Sequence, residues 1–211
     1  IWSLVESISI WLTVWFDAFI VGYFLNEYYL GIYKTSTILV NSLLALVTAS
    51  TIPVLFSALS RLQKDDNKFK NMFYKFQRLV AVLIFPLGVG VYLYSDLATQ
   101  LMLGSQWKEA SGVIGVWALT SAIMIVFGSF SSEVYRAKGK PKLSFLAQVL
   151  HLIVLVPTCI VAAKYGFWCL VFARAWIRMH LVIVHLTIMH IVMKISVHKT
   201  FKNVLPTVIA V

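Results

Sequence analysis

Acidic residues are scarce in this chain, which has eight Asp and Glu against eighteen Lys and Arg in 211 residues. Charged residues of both signs make up only 12%, hydrophobic residues make up 60%, and the mean hydropathy is +0.86. Such a composition excludes an ordinary soluble domain. Cysteine is nearly absent as well. Cys159 and Cys169 have no Cys-x-x-Cys or Cys/His spacing, so we expect neither a metal site nor a cofactor.

The sequence also lacks the short motifs of common enzyme classes. It contains no G-x-x-x-x-G-K-[ST] loop, no G-x-S-x-G elbow and no H-E-x-x-H helix, so we predict that it is not an enzyme. The net charge of +10 does not indicate nucleic acid. Most cations lie in short connections between apolar runs, where membrane topology predicts them. We therefore expect membrane lipids, and no nucleic acid, around this protein.

Long apolar runs dominate what is present. A helix needs roughly 20 residues to cross a hydrocarbon core, and six runs are long enough or nearly so: 1–25, 30–59, 79–94, 112–134, 143–163 and 167–193. The sequence predicts an all-α polytopic membrane bundle whose six transmembrane helices form one lobe over residues 1–193. Residues 194–211 are predicted to be a cytoplasmic segment, with the possible start of a seventh helix at Val204.

Basic residues alternate between the connections and indicate an orientation. The segments 60–78, 135–142 and 194–202 together hold thirteen Lys and Arg, whereas the opposite connections hold only Lys108 and Lys164. Because short cytoplasmic loops are rich in Lys and Arg, we expect the three basic segments to be cytoplasmic.

The first basic segment has a helical pattern of its own. Apolar residues between Phe69 and Val80 recur at helical spacing and the cations occupy other positions. This pattern predicts an amphipathic helix at about 62–78 that lies in the membrane interface before the chain turns into the third span.

The sixth run carries cations at membrane depth. At 100° per residue, Arg174, Arg178 and His185 fall within about 40° of one another on one helical face. A guanidinium near the bilayer centre costs about 2.5–3.5 kcal/mol on insertion scales, so we expect this stripe to face an aqueous cavity and bind an anionic group. Arginine suits phosphate because its planar fork donates two bonds at once. The alternative is that both guanidiniums satisfy carbonyls or a carboxylate inside the bundle.

Asp17 in the first run is the natural partner of these arginines. It lies about 12 Å below the outer surface, close to the predicted depth of Arg174. Either a static ion pair holds two helices together, or Asp17 releases the arginine on binding a proton or cation, and so couples or gates transport. Lys34 is near enough to the outer surface to snorkel, and is a further candidate for a basic cavity.

The stretch from Trp11 through Asp17 and Gly22, followed by Leu-Gly31-Ile-Tyr33, resembles the lipid-linked polysaccharide flippases of the multidrug/oligosaccharidyl-lipid/polysaccharide exporter superfamily. The Arg136-Ala-Lys-Gly-Lys-Pro-Lys segment is similar to that family as well. The resemblance implies two six-helix lobes around a central cavity, of which this chain is the C-terminal one. It implies transport of undecaprenyl-pyrophosphate-linked glycan across the bacterial inner membrane by alternating access.

Two other functions remain open. A cation-coupled multidrug antiporter of the same superfamily would favour a cavity rich in carboxylates. A membrane glycan polymerase or ligase would need a larger outer loop than residues 95–111 provide. Because the chain opens at Ile1 and ends within apolar residues 204–211, we expect it to be part of a longer protein. A lone lobe requires a missing N-terminal lobe or a second copy to close its cavity.

Overall fold

The computed structural model describes residues 2–209, with side chains described from residue 4 onward. Ile1, where we place the start of the first span, and residues 210 and 211 of the possible seventh helix lie outside the described residues. The helices are α1 (Trp2–Phe24), α2 (Glu27–Arg61), α3 (Asp66–Leu93), α4 (Ser95–Leu103), α5 (Ser111–Met124), α6 (Phe130–Ala137), α7 (Lys142–Lys164), α8 (Phe167–Ile191) and α9 (Val197–Ile209).

Six helical segments in the described part are long and apolar enough to cross a membrane, which confirms the predicted fold class. Five of them are α1, α2, α3, α7 and α8. The remaining one, Ser105–Ala137, joins a 3₁₀ turn, α5, a π-helical turn at Ile125–Ser129 and α6 into one continuous span. A π turn widens the backbone locally and is frequent at functional sites.

Short polar connections fix where the helices begin and end. The Asn26 side chain accepts a hydrogen bond from the Tyr29 amide at 2.9 Å and caps α2, and Asp65 caps α3 in the same way at 3.0 Å from the Lys68 amide. The tight turn between α7 and α8 needs Gly166, whose φ of +106° is strained for any residue with a side chain.

α5 lies at the centre of the bundle and packs against α2, α3 and α8, while α1 packs mainly against α7. The close approach of α3 to α5 depends on a small residue. A Cβ added at Gly88 would lie 2.5 Å from the Cβ of Ala122. Small residues at such crossings let two backbones approach closely inside a membrane.

The segment 62–78, predicted as an interfacial amphipathic helix, forms the first part of a longer helix, and its position in the membrane interface stays a prediction. Residues from Asp66 are helical, but α3 continues without a break to Leu93, so no turn separates an interfacial helix from the span. Phe69 and Phe73 are buried within the bundle, and α9 packs against α3. The physical reason is that no glycine or proline interrupts residues 66–85. The apolar face of α3 is also buried against protein.

The last helix begins earlier than expected. α9 starts at Val197, about two turns before Val204, because its first residues are polar and hydropathy alone marks only the apolar part. Val204 is fully buried, and the Asn203 amide donates to the Tyr74 carbonyl at 2.8 Å. α9 therefore packs along α3 and is hydrogen-bonded to it. Its continuation into a seventh span stays a prediction.

Candidate functional site

A cavity of about 410 Å³ lies inside the bundle, between α1, α2, α7, α8 and the span that contains α5 and α6. All five residues singled out from the sequence line it: Asp17, Lys34, Arg174, Arg178 and His185. The stripe on α8 therefore faces the interior of the protein. The function of these residues in binding stays a prediction.

Asp17 and Arg174 form a buried ion pair between α1 and α8. One guanidinium nitrogen of Arg174 lies 2.5 Å from Asp17 Oδ2, and the Tyr33 hydroxyl donates to the same oxygen at 3.3 Å. Asp17 is 7% exposed and Arg174 4%. The two side chains share one contact, since Asp17 Oδ1 and the Nε and Nη1 atoms of Arg174 have no hydrogen-bond partner among the residues that the structure describes. The charge of Arg174 is therefore balanced, although its hydrogen-bonding capacity is not used up.

Arg178, one turn further along α8, has a different environment. Its guanidinium carbon lies 3.5 Å from the centre of the Trp117 ring, and it donates to the hydroxyl of Ser121. Trp117 is itself held by a 3.4 Å hydrogen bond from its indole nitrogen to Asn41. Over the residues that the structure describes, no carboxylate lies within ion-pair distance of Arg178. A cation–π contact holds this arginine without cancelling its charge.

The other two candidates differ in how free they are. The Lys34 amine lies 5.1 Å from the centre of the Trp15 ring and has no carboxylate partner in the described part of the chain. His185 is engaged by Tyr135, whose hydroxyl lies 3.4 Å from its Nδ1 and donates to its carbonyl at 3.2 Å. Lys34 thus adds a second unbalanced cation to the cavity, whereas the Nδ1 atom and the carbonyl of His185 already contact the Tyr135 hydroxyl.

The opposite end of the cavity carries carboxylates that sequence reasoning did not single out as a site. Glu6 on α1 and Glu133 on α6 are buried and line the cavity together with Arg136. Arg136 contacts Glu133 at 3.1 Å and Glu6 only at 4.0 Å. The available signal was an acidic residue in each of two apolar runs, Glu6 in 1–25 and Glu133 at the end of 112–134.

Neutral polar groups line the wall between the two charged ends. The Gln148 amide on α7 donates to the Thr13 hydroxyl on α1 at 2.6 Å. Ser144 and His151 lie one turn to either side of Gln148 on the same helix and are buried. Hydroxyl and amide groups of this kind can exchange hydrogen bonds with a polar ligand.

The charges at one end of the cavity are suited to binding an anion. Two unbalanced cations and an ion-paired arginine at one end suit an anion, because charge-assisted bonds to guanidinium are strong in a buried site. Within the described residues, no group of three or more His, Cys, Asp and Glu side chains is placed to hold a metal ion.

Comparison with known proteins gives a consistent result. The family described as "Polysaccharide biosynthesis protein" matches residues 1–112. The lipopolysaccharide biosynthesis protein WzxC of Escherichia coli K12 is 24% identical over 111 residues, which are 53% of this chain and 22% of that protein. The teichuronic acid biosynthesis protein TuaB of Bacillus subtilis 168 is 22% identical over 129 residues, 61% of this chain and 26% of that protein.

A third relative, an uncharacterized membrane protein in the cps region of Klebsiella pneumoniae, is 25% identical over 104 residues, 49% of this chain and 21% of that protein. The chain thus spans about a quarter of the length of these relatives. No solved structure matches it. The family match covers more than half of the chain and agrees with six membrane-spanning helices. The chain therefore belongs to the polysaccharide biosynthesis protein family, in which the expected resemblance to polysaccharide flippases is confirmed, and it is a multi-pass membrane protein.

Proposed function

We propose that this chain is one lobe of a flippase that moves a lipid-pyrophosphate-linked oligosaccharide across the bacterial inner membrane by alternating access. The undecaprenyl-linked glycan is the substrate, and polysaccharide biosynthesis is the process served. The names of the matched relatives, which concern lipopolysaccharide and teichuronic acid biosynthesis, support this substrate class.

The observation that carries the proposal is the unbalanced charge of Arg178 inside the cavity. A guanidinium placed there without a carboxylate is costly unless an anion arrives. The Trp117 ring holds the guanidinium in place before a ligand binds, which reduces the ordering cost of binding. Arg174 supplies unused N–H donors beside it. Together they offer a pyrophosphate group two planar forks, with Lys34 as a third cation.

The sugars and the lipid tail of the substrate also have matching surfaces on this lobe. The polar wall around Thr13 and Gln148 suits sugar hydroxyls. The apolar outer face of α1, which exposes Trp11 and Trp15, suits the lipid tail or the missing N-terminal lobe or second copy. Large exposed apolar faces are where a membrane protein meets lipid or a partner. Asp17 acts as the gate, because its hold on Arg174 competes with the substrate phosphate.

Substitution in the intact protein tests the site. We expect Arg178→Gln to reduce surface polysaccharide strongly at normal protein level, with lipid-linked glycan accumulating on the cytoplasmic side. Lys164→Gln, which removes a cation outside the cavity, is the matched control and should export normally. Normal export by the Arg178→Gln and Arg174→Gln variants at normal protein level would refute the assignment. A variant with normal export and altered drug sensitivity would favour the antiporter instead.

A further inference from the structure

The outer face of the α3–α9 pair carries cations that no carboxylate balances. Arg78 on α3 and Lys199 and Lys202 on α9 are exposed. Within residues 4–209, whose side chains the structure describes, none of the three has an acidic group at ion-pair distance. The central cavity is lined by other residues. The positive charge of this face is therefore available to an anion outside the bundle.

Hydrogen bonds fix how α9 lies on α3. The Asn203 amide donates to the Tyr74 carbonyl at 2.8 Å and to Gln77 Oε1 at 3.5 Å. The Tyr74 hydroxyl donates to the carbonyl of Ser196, just before α9, at 3.5 Å. The turn of α3 from Tyr74 to Gln77 is thus level with the first two turns of α9. The two helices run in the same direction at this level.

Helical periodicity shows which edge of α9 the lysines occupy. At 100° per residue, Lys199 and Lys202 lie about 40° and about 100° from Asn203, on one edge of the helix. Phe201 lies on the other edge, where its ring stacks on Phe127 with 4.7 Å between ring centres. The lysine edge therefore faces away from the bundle. Lys199 lies in the first turn of α9, where a cation opposes the helix dipole, so it does not serve to stabilise that helix.

Arg78 completes the group from the side of α3. It lies about 40° from Tyr74 around the helix, on the side away from the buried Gln77. Arg78 is therefore on the outward side of the α3–α9 contact, next to the lysine edge of α9. The three cations line one surface depression, which we call the α3–α9 groove and define by Arg78, Lys199 and Lys202.

The groove lies at the level where lipid head groups are expected. Arg78 directly precedes the apolar run 79–94, and Lys202 is the last cation before the apolar residues 204–211. Both belong to basic segments that the charge alternation predicts to be cytoplasmic. One turn deeper, Val82 on α3 and Leu205 on α9 are about half exposed. Cations at head-group level are thus followed by exposed apolar side chains at the level of the acyl chains.

We propose that the α3–α9 groove binds one anionic phospholipid of the cytoplasmic leaflet. Its phosphate contacts Arg78, Lys199 and Lys202. An acyl chain lies along Val82 and Leu205. Basic pockets between helices on the cytoplasmic side of a membrane suit acidic head groups. A zwitterionic lipid carries an ammonium group that these cations repel, so a head group with net negative charge is the better match.

The bound phosphate has a structural consequence for α9. Because it contacts cations of two helices, it joins α9 to α3 at the membrane surface. Amide hydrogen exchange in α9, which reports local opening, should therefore be slower when the anionic lipid is present. The site stands whether or not the substrate of the cavity is a lipid-linked glycan.

The test counts the lipids that the intact protein retains after release from nanodiscs. The nanodiscs contain equal amounts of phosphatidylglycerol and phosphatidylcholine with matched acyl chains, and native mass spectrometry distinguishes the two by mass. Each cation near an anionic surface raises affinity about fivefold. We expect one retained phosphatidylglycerol, preferred over phosphatidylcholine by at least about tenfold at low ionic strength, with the preference falling as salt is added.

Removal of the three cations should abolish the preference. The site variant combines Arg78→Gln, Lys199→Gln and Lys202→Gln, and should retain the two lipids equally. Its α9 should show the same amide exchange in nanodiscs with and without phosphatidylglycerol. A charge-conserving variant with Arg78→Lys, Lys199→Arg and Lys202→Arg should keep most of the preference. If the site variant does not fold, Lys199→Gln and Lys202→Gln are measured singly, and retention equal to wild type in both overturns the proposal.

The matched control separates a site from diffuse attraction. It removes the same charge from exposed positions of the two basic segments 60–78 and 135–142, away from α9, by combining Arg61→Gln, Lys64→Gln and Lys140→Gln. This variant should retain phosphatidylglycerol as wild type does. An equal loss in the control and the site variant overturns the proposal, because the attraction would then belong to the whole basic surface. A wild-type protein without preference overturns it as well, as it would if another part of the longer protein covers the groove.

Discussion

Removal of the Asp17 carboxylate is the most informative perturbation of this protein. In the Asp17→Asn variant, Arg174 stays buried with its charge unbalanced and loses its 2.5 Å partner. Breaking a buried ion pair by removing one partner costs about 3–5 kcal/mol. The pair here is joined by one contact, and two guanidinium nitrogens are already unsatisfied, so we expect the lower end, about 3 kcal/mol.

The neutral double variant, Asp17→Asn with Arg174→Gln, separates the two meanings of the pair. It leaves no unbalanced charge at positions 17 and 174, so its stability should return to within about 1 kcal/mol of wild type. If the pair only joins α1 to α8, polysaccharide export should return along with stability. If Asp17 gates an arginine that binds substrate, stability should return while export stays lost.

The assays are the thermal unfolding midpoint of the purified intact protein and surface polysaccharide at matched protein level. Lys34→Gln serves as a comparison, since it removes a cavity cation that has no ion-pair partner in the described part of the chain, and should cost little stability. An Asp17→Asn variant as stable as wild type would refute the reasoning, because Arg174 would then not depend on its carboxylate partner.

Two further predictions concern the scaffold. Gly88→Leu should destabilise the protein by about 1–3 kcal/mol in denaturation, because its Cβ would meet Ala122 at 2.5 Å; Gly90→Leu, with nothing within 4 Å, should not. Asp65 lies outside the spans, and its hydrogen bond from the Lys68 amide lowers its pKa from 3.8. The cap should therefore stabilise α3 above that pH and be lost as pH falls through the lowered pKa. Hydrogen exchange at Lys68 should show this acid sensitivity in wild type and not in Asp65→Asn, and equal profiles would refute it.

The sequence was sufficient for the six spans, because the hydrocarbon thickness requires about 20 apolar residues. Five of the six runs supply them locally, and 79–94 comes close with 16 residues. The sequence was also sufficient for the inward direction of the α8 stripe, since helical periodicity places Arg174 and Arg178 on one face and their charge disfavours lipid. The pairing of Asp17 with Arg174 could be anticipated from their similar depth. The continuity of α3 could not be anticipated from the sequence, because an amphipathic pattern does not reveal whether the apolar side contacts lipid or protein.

Only the tertiary structure distinguished between the two arginines. Their chemistry and spacing are alike in sequence, yet α1 brings a carboxylate to Arg174 while α5 brings Trp117 and Ser121 to Arg178. The same holds for Glu6 and Glu133, which are 127 positions apart and share Arg136 only because α1 and α6 meet at one end of the cavity. Hydrophobicity acts on each segment independently, so membrane spans can be predicted from local sequence. The balance of buried charge depends on which helices become neighbours, and only the tertiary structure determines that.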